Sequence, residues 1–153
     1  MKSNNASCFE FMKFSLEIIT PQRQAFAEIV DAVAVPTSRG TIGILGHHEP
    51  LFSALTEGEI KITNGNKEFF LAIGGGFMEV TKKGVSILVS RAVHAEEINE
   101  AEIKKAQESA RDAIARNVKG AELAQAQSVL RRSLLELKVY KRKNRRTGTP
   151  SLQ

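Results

Sequence analysis

Cysteine is nearly missing: Cys8 is the single one in 153 residues. An intramolecular disulfide is therefore impossible, and a cysteine-rich zinc site is excluded. No stretch approaches the roughly 18 consecutive apolar residues of a membrane-spanning helix. Residues 1–10 lack the apolar core of a secretory signal. These absences lead us to expect a protein working in a reducing compartment inside the cell. Hydrophobic residues at 42% and charged residues at 25% describe an ordinary globular chain, which excludes a wholly disordered or collagen-like one. The length suits one domain, or one small domain with an appendage.

Constellations that carry chemistry are also missing. His47-His48 precedes Glu49, but neighbours on an extended chain point to opposite sides and chelate poorly, so a surface loop is expected there rather than a metal site. Gly74-Gly75-Gly76 is followed by Phe77–Val80, a strand pattern, whereas a phosphate-binding loop leads into a helix. No Walker pattern and no nucleophile elbow occurs. No cofactor and no metal is expected.

What is present divides into two halves. Phe14, Leu16 and Ile18 alternate with polar residues; Ile29, Asp31, Val33 and Val35 form a second alternating set before Pro36, whose other face, Val30, Ala32 and Ala34, is also apolar, so a strand covered on both sides is expected there. Ile60 and Ile62 lead to Asn64-Gly65, whose residues tolerate positive φ and signal a hairpin, and Phe69, Leu71 and Ile73 return from it. Lys82-Lys83-Gly84 marks another tight turn between Phe77–Val80 and Val85–Val89. Many short strands at close intervals, without helices between them, predict an antiparallel sandwich or barrel.

The pattern changes near Ala95. From there to Val139 no proline occurs, and good helix formers dominate. Asn99 and Glu102 resemble a capping box, with Ile98 and Ile103 as its hydrophobic staple. Ile103, Ala106, Ala110, Ala113 and Ile114 form one helical stripe, and Leu123, Ala126, Leu130, Leu134 and Leu137 a second beyond Gly120. Two amphipathic helices with a short turn predict an antiparallel hairpin. Its alanine-rich face buries little area, so the hairpin is expected to be a weakly held appendage that undocks or extends.

Charge is concentrated at one end. Lys and Arg number 22 against 17 Asp and Glu, for a net of +5. Between Arg131 and Arg146 eight basic residues stand against one acid, Glu136, so this stretch carries +7 and the remainder −2. Three readings are open. The first is a solvated helix end favoured by the helix dipole. The second is phosphate binding to nucleic acid, poorly supported because Tyr140 is the one aromatic interleaved there. The third is docking onto an acidic protein surface.

In order along the chain, Phe14–Gln22, Gly40–Phe52, Gly58–Ile62, Gly74–Val80 and Ala124–Leu134 resemble the epsilon subunit of F-type ATP synthase, called delta in mitochondria. The resemblance spans about residues 12 to 140. It implies a β sandwich of about ten antiparallel strands over residues 12–95, then a C-terminal antiparallel helical hairpin over 96–143. Residues 144–153 are expected to be a disordered basic tail. Met12 stands where such chains usually begin, so 1–11 is expected to be a disordered extension.

By the same resemblance the protein is a non-catalytic part of the rotor central stalk at the cytoplasmic face of the bacterial plasma membrane. It would join the gamma shaft to the membrane c ring during proton-driven ATP synthesis and touch the membrane only through the complex. Arg39, Gly40, Thr41, His48 and Glu49 match the region lying near ring and shaft. The hairpin would rise into the catalytic head and hinder ATP hydrolysis. There Arg131, Arg132, Lys138, Lys141, Arg142 and Lys143 would meet an acidic loop of the catalytic beta subunit. The alternative is a free basic-hairpin protein that binds nucleic acid. Some relatives bind ATP through an Ile/Leu-Asp-x-x-Arg-Ala sequence at the first helix. Here Asn99, Glu102 and Ile103 replace its Asp, Arg and Ala, and Glu102 would repel phosphates, so no ATP site is expected.

Overall fold

Which side of each strand faces inward follows from the alternation of apolar residues. The computed structural model describes residues 12–147. Ten strands form two five-stranded sheets. The first sheet contains β1 (Phe14–Ile19), β2 (Gln24–Val30), β5 (Leu51–Leu55), β8 (Gly76–Thr81) and β9 (Gly84–Val89), in the order β2-β1-β9-β8-β5. The second contains β3 (Ala32–Thr37), β4 (Gly40–Leu45), β6 (Gly58–Asn64), β7 (Lys67–Ile73) and β10 (Ala92–His94), in the order β10-β7-β6-β3-β4. Leu16, Ile18, Ile87 and Met78 of the first sheet pack on Val33, Val35, Ile60, Ile62 and Leu71 of the second. Full burial of each such side chain is worth about 1.5–3 kcal/mol, so this core dominates the stability.

Three details differ from the sequence reading. The β1–β9 pair is parallel while the other strand pairs are antiparallel. These two strands are far apart in the chain, so no hairpin fixes their direction. The alternation from Ile29 to Val35 is not one strand but two. At Asp31 the chain leaves the first sheet for the second, and Asp31 N donates to Thr63 O at 2.9 Å. Pro36 does not stop β3. Pairing with β6 covers only Ala32, Val33 and Ala34, so the ladder needs no N–H from Pro36 on that side, while Pro36 still lies opposite Thr41 of β4.

Beyond the sandwich come α1 (Glu100–Ala115) and α2 (Ala121–Thr147). Asn99 caps α1, its side-chain oxygen accepting from Ala101 N at 3.1 Å. Between the helices Asn117 and Gly120 adopt positive φ of 56° and 63°, which reverses the chain. The buried side of α2 is Ala126, Ser133, Glu136 and Val139; of the expected stripe Ala126 is buried, Leu123, Leu130 and Leu137 are half-buried, and Leu134 is 50% exposed. The reason is that α2 has two neighbours. Small residues meet α1, and Val139 meets the outer face of β7 through Phe70 and Ala72. The tail expected to be disordered from residue 144 is helical through Thr147. Its lysines and arginines are good helix formers and sit where the helix dipole favours cations. The remainder of that tail, and the extension expected at 1–11, lie outside the described residues.

Candidate functional site

Among the described residues the hairpin covers one face of the sandwich and leaves the other bare. On the outside of the first sheet, strand register sets Ala54 beside Phe77, Phe77 beside Leu88, and Leu88 beside Ile19. Phe77 is 53% exposed, Leu88 54% and Phe52 69%. The Phe52 and Phe77 rings stack with centroids 5.7 Å apart. A contiguous apolar row of this kind marks a protein-binding face. Sequence reasoning missed it. Its trace is the adjacent apolar pairs Phe77-Met78 and Ile87-Leu88, which show strands apolar on both faces.

The five residues matched to the ring and shaft region do not form one patch. Arg39, Gly40 and Thr41 belong to the β3–β4 turn and the start of β4, where Thr37 Oγ1 donates to Gly40 O at 2.6 Å. His48 and Glu49 follow the far end of β4. At about 3.3 Å per residue, the six-residue strand separates the two sets by about 20 Å. The His47–Glu49 loop instead lines an end cavity of about 570 Å³ with Met12, Leu45, Lys82 and Lys83. His47 Nε2 lies against Met12 Sδ, and His48 Nδ1 lies 2.7 Å from Glu49 O. Among the described residues no group of three metal-ligating side chains assembles.

The six basic residues of α2 matched to the inhibitory helix divide into two classes. Four have acidic partners in this chain. Arg131 faces Glu57 at 4.0 Å and Arg132 binds Glu136 at 3.0 Å. Arg142 pairs with Glu59, and Lys143 with Glu96 at 3.2 Å. Lys138 and Lys141 are exposed, with no ion pair among the described residues. Arg91, between β9 and β10, reaches the other way to Glu136 of α2 and lies 3.7 Å from Glu57. Burial and then the nearby charge of Arg132 lower the Arg91 pKa, against the opposing pull of Glu136 and Glu57.

The linker between sandwich and hairpin is held twice. Ala95 N donates to Phe70 O at 2.9 Å. Arg23 donates two bonds to the Glu97 carboxylate, at 2.8 and 2.6 Å. The Arg23 bond holds the Glu97 pKa below its usual range.

The residues at the position of the relatives' ATP motif have structural occupations. Asn99 caps α1, Glu102 is exposed, and Ile103 is buried against Phe70, Ala72 and Val139. The open depression beside them is lined by Glu96, Glu97 and Glu100 against one cation, Lys104. Phosphates would meet carboxylates there. ATP at millimolar concentration is therefore expected to leave the melting temperature of the isolated chain unchanged. Saturation to about 100 times a dissociation constant would add about 2.7 kcal/mol and be plain in a thermal melt. An ATP-specific rise would show that phosphate-binding groups lie elsewhere.

Residues 13–95 match the family model described as the beta-sandwich domain of the ATP synthase delta/epsilon chain. The chain is 38% identical over 134 residues to the ATP synthase epsilon chain of Dehalococcoides mccartyi, covering 87% of this chain and 96% of that one. It is 39% identical over 135 residues to the ATP synthase epsilon chain of Herpetosiphon aurantiacus, with coverage of 88% and 99%. In fold it is similar to a chain in the cryo-EM structure of the Euglena gracilis mitochondrial ATP synthase, with a TM-score of 0.62 at 24% identity, covering 89% of this chain and 82% of that one. A chain in the central stalk and c-ring structure of the Tetrahymena thermophila mitochondrial ATP synthase gives a TM-score of 0.56 at 16% identity, with coverage of 85% and 98%.

Proposed function

The chain belongs to the ATP synthase delta/epsilon family, and on that premise we propose that it joins the gamma shaft to the c ring as a non-catalytic part of the rotor, with a hairpin that restrains ATP hydrolysis. The observation that carries this reading is the bare apolar row Phe52, Phe77 and Leu88 on the sheet opposite the helices. A rotor joint must hold two partners at once, and it needs a permanent, largely apolar contact to at least one of them. The row suits the shaft. His48 and Glu49 lead directly into β5, which carries Phe52, so they extend the same surface. The turn at Arg39, Gly40 and Thr41, at the other end of β4, suits the ring.

The sandwich over 12–95 is then the joint and the hairpin the regulatory element. The basic side of α2 supplies cations for an acidic loop on the catalytic beta subunit, with Lys138 and Lys141 available at once. No helix among the described residues is long and apolar enough to cross a membrane. In this reading the chain lies at the cytoplasmic face of the bacterial membrane and is held there through the complex. The nucleic-acid alternative loses support because four of the eight cations between Arg131 and Arg146 are engaged by carboxylates.

Affinity purification of the tagged chain from solubilised membranes tests the proposal. Gamma and c subunits should co-purify with it. Recovery of nucleic acid without rotor subunits would refute it.

A further inference from the structure

The outer face of the first sheet carries more than the apolar row. Strand register lines up its outward side chains in bands that run across the strands. The first band is Ala54, Phe77, Leu88 and Ile19. In the second, Phe52 lies beside Glu79, Glu79 beside Ser86, and Ser86 beside Glu17. Beyond it the β8–β9 turn carries Lys82 and Lys83, both exposed. Successive outward residues are two positions apart, so the bands follow one another at about 6.6 Å. The face reads apolar, then negative, then positive.

Glu17 and Glu79 stand on β1 and β8, with β9 between them. At about 4.8 Å per strand their backbones are about 10 Å apart. Ser86, a small residue, sits in the gap. A depression of about 230 Å³ opens there, lined by Glu17, Ser86, Gly84 and Lys83 among others. Gly84 keeps it open, because a Cβ at that position would lie 2.5 Å from Ser15 O. Among the described residues Glu17, Glu79, Lys82 and Lys83 form no ion pair.

These charges decide what the face can hold. Phe52 and Glu79 are cross-strand neighbours, so a partner that covers Phe52, Phe77 and Leu88 also covers Glu79. A carboxylate taken out of water without a counter-charge is strongly destabilising. The described chain offers Glu79 no cation, so the partner must bring one. A cation placed over Ser86 meets Glu17 on one side and Glu79 on the other.

We propose that this face is a keyed seat for a single orientation of the shaft. The shaft segment it receives presents an apolar patch to Phe77 and Leu88, a cation between Glu17 and Glu79, and an acidic group towards Lys82 and Lys83. This inference rests on the reading of the apolar row as the shaft joint. The apolar band supplies affinity, and the charged bands supply direction. A segment turned end for end would bury its acid against Phe77 and Leu88. A segment shifted by one band would set like charges together.

The test measures binding of the full chain, at low salt, to the catalytic head with its shaft, prepared without this chain. Glu17→Lys with Glu79→Lys should weaken binding at least about a hundredfold. The thermal melt should stay cooperative, since both side chains lie on the outer face. Lys82→Glu with Lys83→Glu should weaken binding as well. Joining the four substitutions returns the net charge to +5. A partner drawn by overall charge would bind that variant normally, whereas a keyed one binds it no better than either pair. Original-strength binding by the four-fold variant, or by Glu17→Lys with Glu79→Lys, would overturn the proposal. Should Glu17→Lys disturb folding, Glu79→Lys alone, at an exposed position, should weaken binding about tenfold, and no change there overturns the proposal equally. Phe77→Asp with Leu88→Asp is the reference. If it abolishes binding while the charge variants do not, the apolar joint stands and the key is refuted. If every variant binds as the original does, the joint itself is refuted.

Discussion

Aspartate at both Phe77 and Leu88 is expected to abolish co-purification with the gamma shaft while the sandwich stays folded. Both side chains point away from the core and are more than half exposed in the isolated chain. Neither substitution opens a cavity, and the core beneath them, Met78 and Ile87, is untouched. Thermal melting of the isolated variant should move by no more than a few degrees. In the joint, by contrast, two carboxylates would be buried against an apolar partner without counter-charges. Loss of a central aromatic or aliphatic anchor typically costs about 2 kcal/mol or more. Two adjacent ones, with charge burial added, predict a fall in affinity of at least about a thousandfold. Binding of the folded variant to the shaft at the original strength would show that the row is not the joint.

Alanine at Arg131, Arg132, Lys138, Lys141, Arg142 and Lys143 together should relieve inhibition of ATP hydrolysis in the assembled enzyme. Alanine keeps helix propensity, so the loss is one of charge and side-chain contact. Val139, Ala126 and Ser133 remain, and with them the packing on β7 and α1. At about 0.2–0.5 kcal/mol for each exposed pair, six pairs predict a drop in the ratio of inhibited to free enzyme on the order of ten- to a hundredfold. The variant also loses the three pairs that tie α2 to Glu57, Glu59 and Glu96, so its free hairpin is looser even as its inhibition falls. Persistent full inhibition by a normally assembled six-alanine variant would leave steric bulk as its cause.

Most of the fold is legible because its signals are local. The β6–β7 turn falls one residue later than the Asn64-Gly65 signal, at Gly65-Asn66, because Asn64 still pairs with Lys67, and Lys82-Lys83 closes β8–β9 with Gly84 already opposite Thr81. Asn99 with Ile98 and Ile103 announces the first helix from neighbouring residues alone. The crossing at Asp31 is hidden because both sides of that stretch are apolar, so parity cannot reveal where the chain changes sheets. The true buried face of α2 is hidden for a similar reason. A leucine stripe is the best guess for a helix with one neighbour, but α2 lies between α1 and β7. The interaction surfaces required register above all. Phe77 and Leu88 become neighbours only once β8 pairs with β9, and Glu59 meets Arg142 only across 83 residues of chain.

The fastened linker gives the hairpin a fulcrum. Phe70 O and Arg23 hold the chain through Glu97, so rotation begins at Ile98 and Asn99. Lys143 and Glu96 sit beside that pivot, whereas Arg131 lies twelve residues back along α2, about 18 Å away at 1.5 Å per residue. A small angular swing thus displaces Arg131 furthest from Glu57, the pair already widest at 4.0 Å, and moves Lys143 least. Release, as proposed for the hairpin, would run as a peeling motion from the distal end inward, each contact parting separately, rather than as one detachment that must break them all together.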